Sequence, residues 1–91
     1  MPFAEPDGIA KEIDWSEAAL EDMAEFEKAT ARRLKTFVER FAATGAGNVK
    51  KLQGIDPPEY RLRTGDYRVR FHTDGNTITI LRVRNRKEAY R

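Results

Sequence analysis

The stretch YRLRTGDYRVRF, from Tyr60 to Phe71, decides the fold because it holds two strand-like segments around a turn signal. Gly65 and Asp66 form a two-residue hairpin signal, since glycine adopts a positive φ at little cost. Residues pair outward from such a turn. We therefore predict antiparallel strands near residues 59–64 and 67–73.

Alternation along these strands separates two faces. Leu62 and Val69 would oppose each other on an apolar face. The other face would hold four arginines: Arg61, Arg63, Arg68 and Arg70. Directly opposed like charges destabilise a sheet by up to about 1 kcal/mol per pair, so fold stability does not call for this arrangement. We predict an anion-binding face, because the guanidinium fork matches phosphate. A solvated outer face, with arginine stems splayed into water, is the alternative.

A second hairpin signal predicts a third strand near residues 77–84. Asp74 and Gly75 supply the signal, and a two-residue turn there would pair Phe71 with Ile78. The apolar face would thereby extend into the last strand.

This register becomes unfavourable further along the last strand. It points Arg82 and Arg84 toward the core. Because one extra residue in a strand reverses the alternation, we expect a bulge or a strand end near Leu81.

The N-terminal half predicts one strand and then helices. Polar and apolar residues alternate in KEIDW, residues 11–15, which is typical of a short strand. Ser16 can cap a helix start, and helical periodicity continues to about Thr44. We predict a helical hairpin with Thr30 capping its second helix; one long helix is the alternative. Gly45 would end the helical region.

The predicted fold is therefore α+β. An N-terminal strand precedes a helical hairpin, and a three-stranded antiparallel meander completes one sheet packed on the helices. The 91 residues suffice for a single domain, residues 1–91. The linker between helices and meander, which contains Lys50 and Lys51, is expected to be a flexible loop because Pro57 and Pro58 bar a helix there.

Composition narrows the function classes. The chain has no cysteine and one histidine, His72, so we expect no disulfide, no metal site and no cofactor. A solvated residue near the second turn is the simpler interpretation of His72. No apolar run is long enough for a membrane span, and the first residues lack the pattern of a secretory signal. We expect a cytoplasmic protein without a membrane partner.

The net charge of +2 conceals a gradient along the chain. Residues 1–44 carry six Lys/Arg and ten Asp/Glu, a balance of −4, whereas residues 45–91 carry eleven and five, a balance of +6. A basic half indicates an anionic partner for that region. An unevenly charged but inert surface would give the same count.

Four stretches of the sequence resemble the RelE/ParE toxin superfamily of bacterial and archaeal toxin–antitoxin systems. They are WSEAALEDM, KKLQG, YRLRTGDYRVRF and the terminal VRNRKEAYR. The resemblance implies a helical hairpin on a mostly antiparallel sheet. Its RelE branch implies a metal-independent endoribonuclease that cuts messenger RNA in the ribosomal A site, with the RNA 2′-hydroxyl as nucleophile. Its ParE branch implies an inhibitor of DNA gyrase.

Both branches imply an acidic antitoxin as the partner, besides the ribosome and mRNA or, alternatively, gyrase. A degenerate member that only binds its antitoxin is a third possibility. The catalytic residues that the resemblance implies are Arg61, Arg63, Arg68, Arg86 and Tyr90. The RNA-binding residues expected beside them are Lys50, Lys51 and Arg70.

The expected catalytic set is rich in cations and poor in proton acceptors. Relatives usually have lysines where Arg61 and Arg63 stand, and many have histidine where this chain has Asn85. Arginine remains protonated in proteins, so it serves poorly as a base. Tyr90 is therefore the expected group for proton transfer or for stacking on a base.

Overall fold

The computed structural model describes residues 11–85, which form two helices and one five-stranded sheet. In chain order the elements are β1 (Glu12–Trp15), α1 (Glu17–Ala24), α2 (Lys28–Thr44), β2 (Asn48–Lys51), β3 (Tyr60–Thr64), β4 (Tyr67–Thr73) and β5 (Thr77–Asn85). The strand order is β1-β5-β4-β3-β2. β1 runs parallel to β5, and the other neighbours are antiparallel. The predicted α+β class is confirmed.

The β3–β4 hairpin has the predicted register. Thr64 pairs with Tyr67 beside the turn, and the pairing continues outward to Tyr60 opposite Phe71. Gly65 has a φ of 55°, a conformation that glycine adopts without steric cost. The two faces expected from alternation therefore exist.

The predicted helical hairpin is confirmed, but its second cap is not Thr30. α2 begins at Lys28, with Glu27 at the N-cap position. The intervening turn is closed by the N–H of Phe26 donating to Met23 O at 3.2 Å, and the Phe26 ring packs edge-on against Tyr67. This tertiary contact fixes the turn earlier than the capping preference of threonine suggests.

Both ends of the helical region match their predictions. The Ser16 hydroxyl accepts from the N–H of Ala19 at 3.1 Å and donates to Leu81 O at 3.0 Å, so the cap also ties α1 to β5. Gly45 ends α2 with a φ of 73°, and its N–H donates to Phe41 O at 2.7 Å. Neither helix within residues 11–85 combines the length and apolarity required to cross a bilayer.

The expected loop between Gly45 and the meander is present at residues 52–59, which include Pro57 and Pro58, but its earlier part, with Lys50 and Lys51, was wrongly predicted because it forms β2. Lys50 pairs with Arg61 and Lys51 with Tyr60 along the edge of β3. Val49 lies opposite Leu62 and packs against the core. One apolar residue in a four-residue strand gives almost no periodic signal, and the strand forms because β3 offers an unpaired edge.

The predicted β4–β5 register was wrong by two residues. Phe71 pairs with Ile80 rather than Ile78. The turn is longer than two residues because the Asp74 carboxylate accepts from the N–H groups of Asn76 and Thr77, both at 2.9 Å.

The expected irregularity near Leu81 is present as a bulge. Phe71 pairs with Ile80, whereas the preceding Arg70 pairs with Arg82, so Leu81 is the extra residue. The bulge reverses the alternation, as anticipated. Val83 is therefore buried, and Arg82 and Arg84 share the face of the β4 arginines.

One core joins the helices to the inner face of the sheet. The fully buried large side chains are Phe41, Phe71, Leu62, Ile78, Ile80, Val38, Val69 and Val83. The Phe41 and Phe71 rings meet edge-on with centroids 5.4 Å apart, so α2 is locked onto β4. This packing leaves the outer, arginine-bearing face uncovered by either described helix.

A candidate anion-binding cleft

The outer face brings together the four arginines of the β3–β4 hairpin. Arg61 lies directly opposite Arg70, and Arg63 opposite Arg68. All four alternate with the buried Leu62 and Val69, so they project away from the core. The central prediction of a shared arginine face is confirmed in geometry.

A cleft of about 510 Å³ opens on this face. Its lining residues are Leu52, Ile55, Arg61, Arg68, Arg70 and Arg84. Arg63 lies at the exposed end of the hairpin and does not line the cleft. The outer face therefore contains a concave cationic site, which we call the arginine cleft.

Arg84 was missing from the predicted site. It pairs with Arg68 across β4 and β5, and it enters the cleft only because the bulge at Leu81 turns it outward. The expected bulge was the signal that could have placed Arg84 beside the other arginines.

Two arginines of the outer face form hydrogen-bonded ion pairs with carboxylates. Glu59 accepts from Arg70 through its Oε1 atom, with the Nε of Arg70 at 3.0 Å and a second bond from the same guanidinium. Asp22 on α1 accepts from the Nε of Arg82 at 2.8 Å and from its second guanidinium nitrogen at 3.0 Å. Arg70 is therefore partly neutralised, and Arg82 is held toward α1 rather than in the cleft.

The remaining predicted site residues are divided. Lys50 lies opposite Arg61 and shares its face, whereas Lys51 lies opposite Tyr60 on the other side of the sheet. Both lysines are exposed. Arg86 and Tyr90 lie outside the described residues.

The lining determines what the cleft can do chemically. Its four guanidinium groups can bind a phosphate and stabilise negative charge that develops on it. None of the six lining side chains can accept a proton at neutral pH. The cleft is thus suited to anion binding and electrostatic catalysis, and proton transfer requires a group from elsewhere.

A comparison with protein families decides the assignment. Residues 13–90 match the model of the ParE toxin of type II toxin–antitoxin systems, parDE. The chain belongs to this toxin family. The predicted membership of the RelE/ParE superfamily is confirmed, and the protein is the toxin of a type II toxin–antitoxin system. A search of curated protein sequences found no match.

Several solved structures share the fold. The RelBE2 toxin–antitoxin complex of Mycobacterium tuberculosis has a chain that superposes with a TM-score of 0.77 at 20% identity, over 86% of this toxin and 93% of that chain. For the archaeal RelE–RelB complex of Pyrococcus horikoshii the TM-score is 0.69 at 25% identity, over 86% of this toxin and 97% of that chain. For the YoeB dimer of Staphylococcus aureus the TM-score is 0.64 at 23% identity, over 81% of this toxin and 94% of that chain.

Asp22 links the helical layer of the toxin to β5. Besides Arg82, its carboxylate accepts from the backbone N–H of Val83 at 2.9 Å, where β1 no longer covers the edge of β5. Burial raises the pKa of Asp22, but the hydrogen bonds from Arg82 and Val83 outweigh burial and hold the pKa below its ordinary 3.8. The folded toxin therefore favours the charged form of this carboxyl.

Removing this carboxylate should make stability less sensitive to acid. We expect Asp22→Asn to lower the free energy of unfolding by about 1–3 kcal/mol at pH 7. Because the folded pKa is depressed, the stabilisation is complete above the unfolded pKa and disappears as the pH falls below about 4. Urea unfolding from pH 7 to pH 2.5 would test this, with the exposed Asp14→Asn as control. If the difference in unfolding free energy between the unaltered toxin and Asp22→Asn stayed constant over this pH range, the expected role of Asp22 would be wrong.

Proposed function

We propose that this toxin is a ribosome-dependent mRNA endoribonuclease that acts in the cytoplasm by attack of the RNA 2′-hydroxyl. The observation that supports it is the arginine cleft, in which Arg61, Arg68 and Arg84 come together from three adjacent strands. A protein that merely needed solubility would not concentrate opposed like charges around one concave site.

The reaction needs charge stabilisation at phosphorus. The 2′-oxygen forms a bond to the adjacent phosphorus while the bond from phosphorus to the 5′-oxygen breaks, and negative charge gathers on the non-bridging oxygens. Arg61, Arg68 and Arg84 surround the volume where such a phosphate would lie. Preorganised cations at this point lower the barrier because they need no reorganisation as the charge develops. We assign these three residues that role.

Proton transfer is assigned to a group other than the six described residues that line the cleft. The 2′-hydroxyl must lose a proton, and the 5′-oxygen must gain one. We propose Tyr90 for this task, on the strength of the family resemblance and of the protonated state of arginine. Arg86 is proposed, on the same resemblance, as a further cation for the phosphate.

Contacts to RNA beyond the scissile phosphate are assigned to the periphery of the cleft. Lys50 shares the face of the arginines, so it suits a ribosomal or messenger phosphate. Arg63 and Arg70 lie on the same face, and Arg70 would contact a phosphate with its remaining N–H groups while it keeps its bond to Glu59. Lys51 is the weakest of the proposed contacts because it lies on the opposite face.

We further propose an acidic antitoxin as the partner that inactivates the toxin. The Pyrococcus horikoshii and Methanococcus jannaschii relatives are complexes of RelE with RelB. Carboxylates of such a partner would compete with phosphate for guanidinium forks. The Arg70–Glu59 pair illustrates the chemistry of this contact within the toxin itself.

Inhibition of DNA gyrase is the second candidate function. The family model that matches residues 13–90 is that of a ParE toxin, and the ParE branch of the superfamily implies this target. Such an inhibitor binds a protein and requires no phosphate at a reacting centre. The arginine cleft is therefore the feature that distinguishes the two candidates.

Expression of the toxin in bacterial cells would test the proposal. We expect growth arrest, relief when the acidic protein encoded beside the toxin is co-expressed, and new RNA ends within coding regions after induction. Plasmid supercoiling, measured in the same cultures, provides the control. Intact transcripts combined with altered supercoiling would overturn the nuclease proposal in favour of gyrase.

A further inference from the structure

The arginine cleft has an apolar side that phosphate binding does not explain. Leu52 and Ile55 line it together with the four arginines. Both belong to the loop between β2 and β3, residues 52–59, which we call the cleft loop. Neither side chain is buried, and neither is a member of the core cluster.

The cleft loop is held in place by hydrogen bonds at several points. The N–H of Leu52 donates to Glu59 O at 2.9 Å, which closes the base of the loop. Arg70 binds the Glu59 carboxylate, and the Nδ1 of His72 donates to Pro58 O at 2.9 Å. The apolar residues are thus presented by a loop that is tied to β4, which is how a preformed binding wall is built.

The shape and charge of the cleft suit a single nucleotide. Its volume of about 510 Å³ lies within the range of about 300–1,000 Å³ that is typical of small-ligand sites. A nucleotide carries an anionic phosphate beside a flat, largely apolar base face. The arginines match the first part and the leucine–isoleucine side matches the second.

We propose that Leu52 and Ile55 form a base-binding wall that packs against the nucleobase adjoining the scissile phosphate. This inference rests on the proposed nuclease function and adds a determinant of substrate choice to it. The ligand is a ribonucleotide unit of single-stranded RNA, with its phosphate on Arg61, Arg68 and Arg84. Glu59 and His72 are positioning residues, because they act by holding the cleft loop.

Binding measurements that do not depend on cleavage would test the proposal. The purified full chain is titrated with inorganic phosphate and, separately, with each of the four ribonucleoside 3′-monophosphates, followed by NMR. We expect the nucleotides to bind more tightly than phosphate. Leu52→Ser and Ile55→Ser should each weaken nucleotide binding about tenfold and leave phosphate binding unchanged. Arg61→Ala should weaken both.

Two further variants serve as controls for the serine substitutions. Leu20→Ser makes the same change at an exposed leucine on α1 that is remote from the cleft, and it should alter neither affinity. Leu52→Phe keeps an apolar wall and should retain or strengthen nucleotide binding, since rings stack on bases. Its retention of binding would show that Leu52→Ser acts through apolarity rather than misfolding.

Several outcomes would overturn the base-binding wall. Equal binding of nucleotide and phosphate by the unaltered toxin would do so, as would serine variants that change both affinities alike or change neither. Serine variants that weaken only the antitoxin complex would assign the wall to a protein partner instead. Nucleotide binding as predicted, together with intact cellular transcripts, would contradict the nuclease proposal alone.

Discussion

Replacing Arg68 with alanine should reduce mRNA cleavage by about 100- to 1,000-fold, the usual cost of removing one preorganised donor from a developing oxyanion. Arg68 has the central position in the cleft because it pairs with Arg63 on one side and with Arg84 on the other. No neighbour on its strand replaces it: Arg70 is engaged by Glu59.

The same change should leave the fold nearly intact. Arg68 lies on the outer face, and its removal also relieves repulsion from two opposed arginines, so we expect the free energy of unfolding to change by less than about 1 kcal/mol. Cleavage of mRNA on programmed ribosomes and urea unfolding would be measured in parallel. Arg40→Ala removes the same charge from an exposed position on α2 and should preserve activity. Full cleavage by the Arg68 variant would refute the assigned role.

Replacing Phe71 with alanine should have the largest effect on stability. The side chain is fully buried, stacks on Tyr60 with centroids 5.5 Å apart and meets Phe41 of α2 edge-on at 5.4 Å. Truncation removes buried apolar area and leaves a cavity between the sheet and α2, which costs about 3–5 kcal/mol. The total free energy of unfolding of a small domain is about 5–15 kcal/mol, so this change would remove a large part of the stability.

Urea unfolding of the Phe71 variant would provide the measurement. Phe37→Ala, which truncates the same ring at a half-buried position on α2, should cost clearly less. Phe71→Leu keeps most of the volume and should cost less than alanine as well. A loss below about 1 kcal/mol for Phe71→Ala would show that the described core does not hold the layers together.

The sequence predicted the parts of the fold that depend on neighbouring residues. The β3–β4 register follows from a turn at Gly65 and strict alternation, and both are local. The β4–β5 register does not, because the Asp74 carboxylate widens the turn by capping two N–H groups. β2 was not predicted because it forms by pairing with the edge of β3, and this tertiary contact leaves no local pattern in the sequence.

The sequence likewise predicted only those features of the site that depend on local pattern. The arginine face follows from alternation alone, whereas the content of the cleft depends on contacts between distant residues. Arg84 joins the cleft through a bulge, and Asp22 reaches Arg82 across sixty positions of sequence. Leu52 and Ile55 belong to an irregular loop, where no periodic pattern marks which side chains will meet a ligand.

We propose above all that the arginine cleft promotes attack by the 2′-hydroxyl of a messenger nucleotide. The most direct measurement uses purified toxin and ribosomes that present a defined codon in the A site, with one nucleotide of that codon replaced by its 2′-deoxy form in a matched transcript. We expect a single break in the ribonucleotide transcript, leaving a 2′,3′-cyclic phosphate, and loss of that break when the attacking hydroxyl is absent. Cleavage of both transcripts alike, or of neither while gyrase is inhibited, would refute the proposed mechanism.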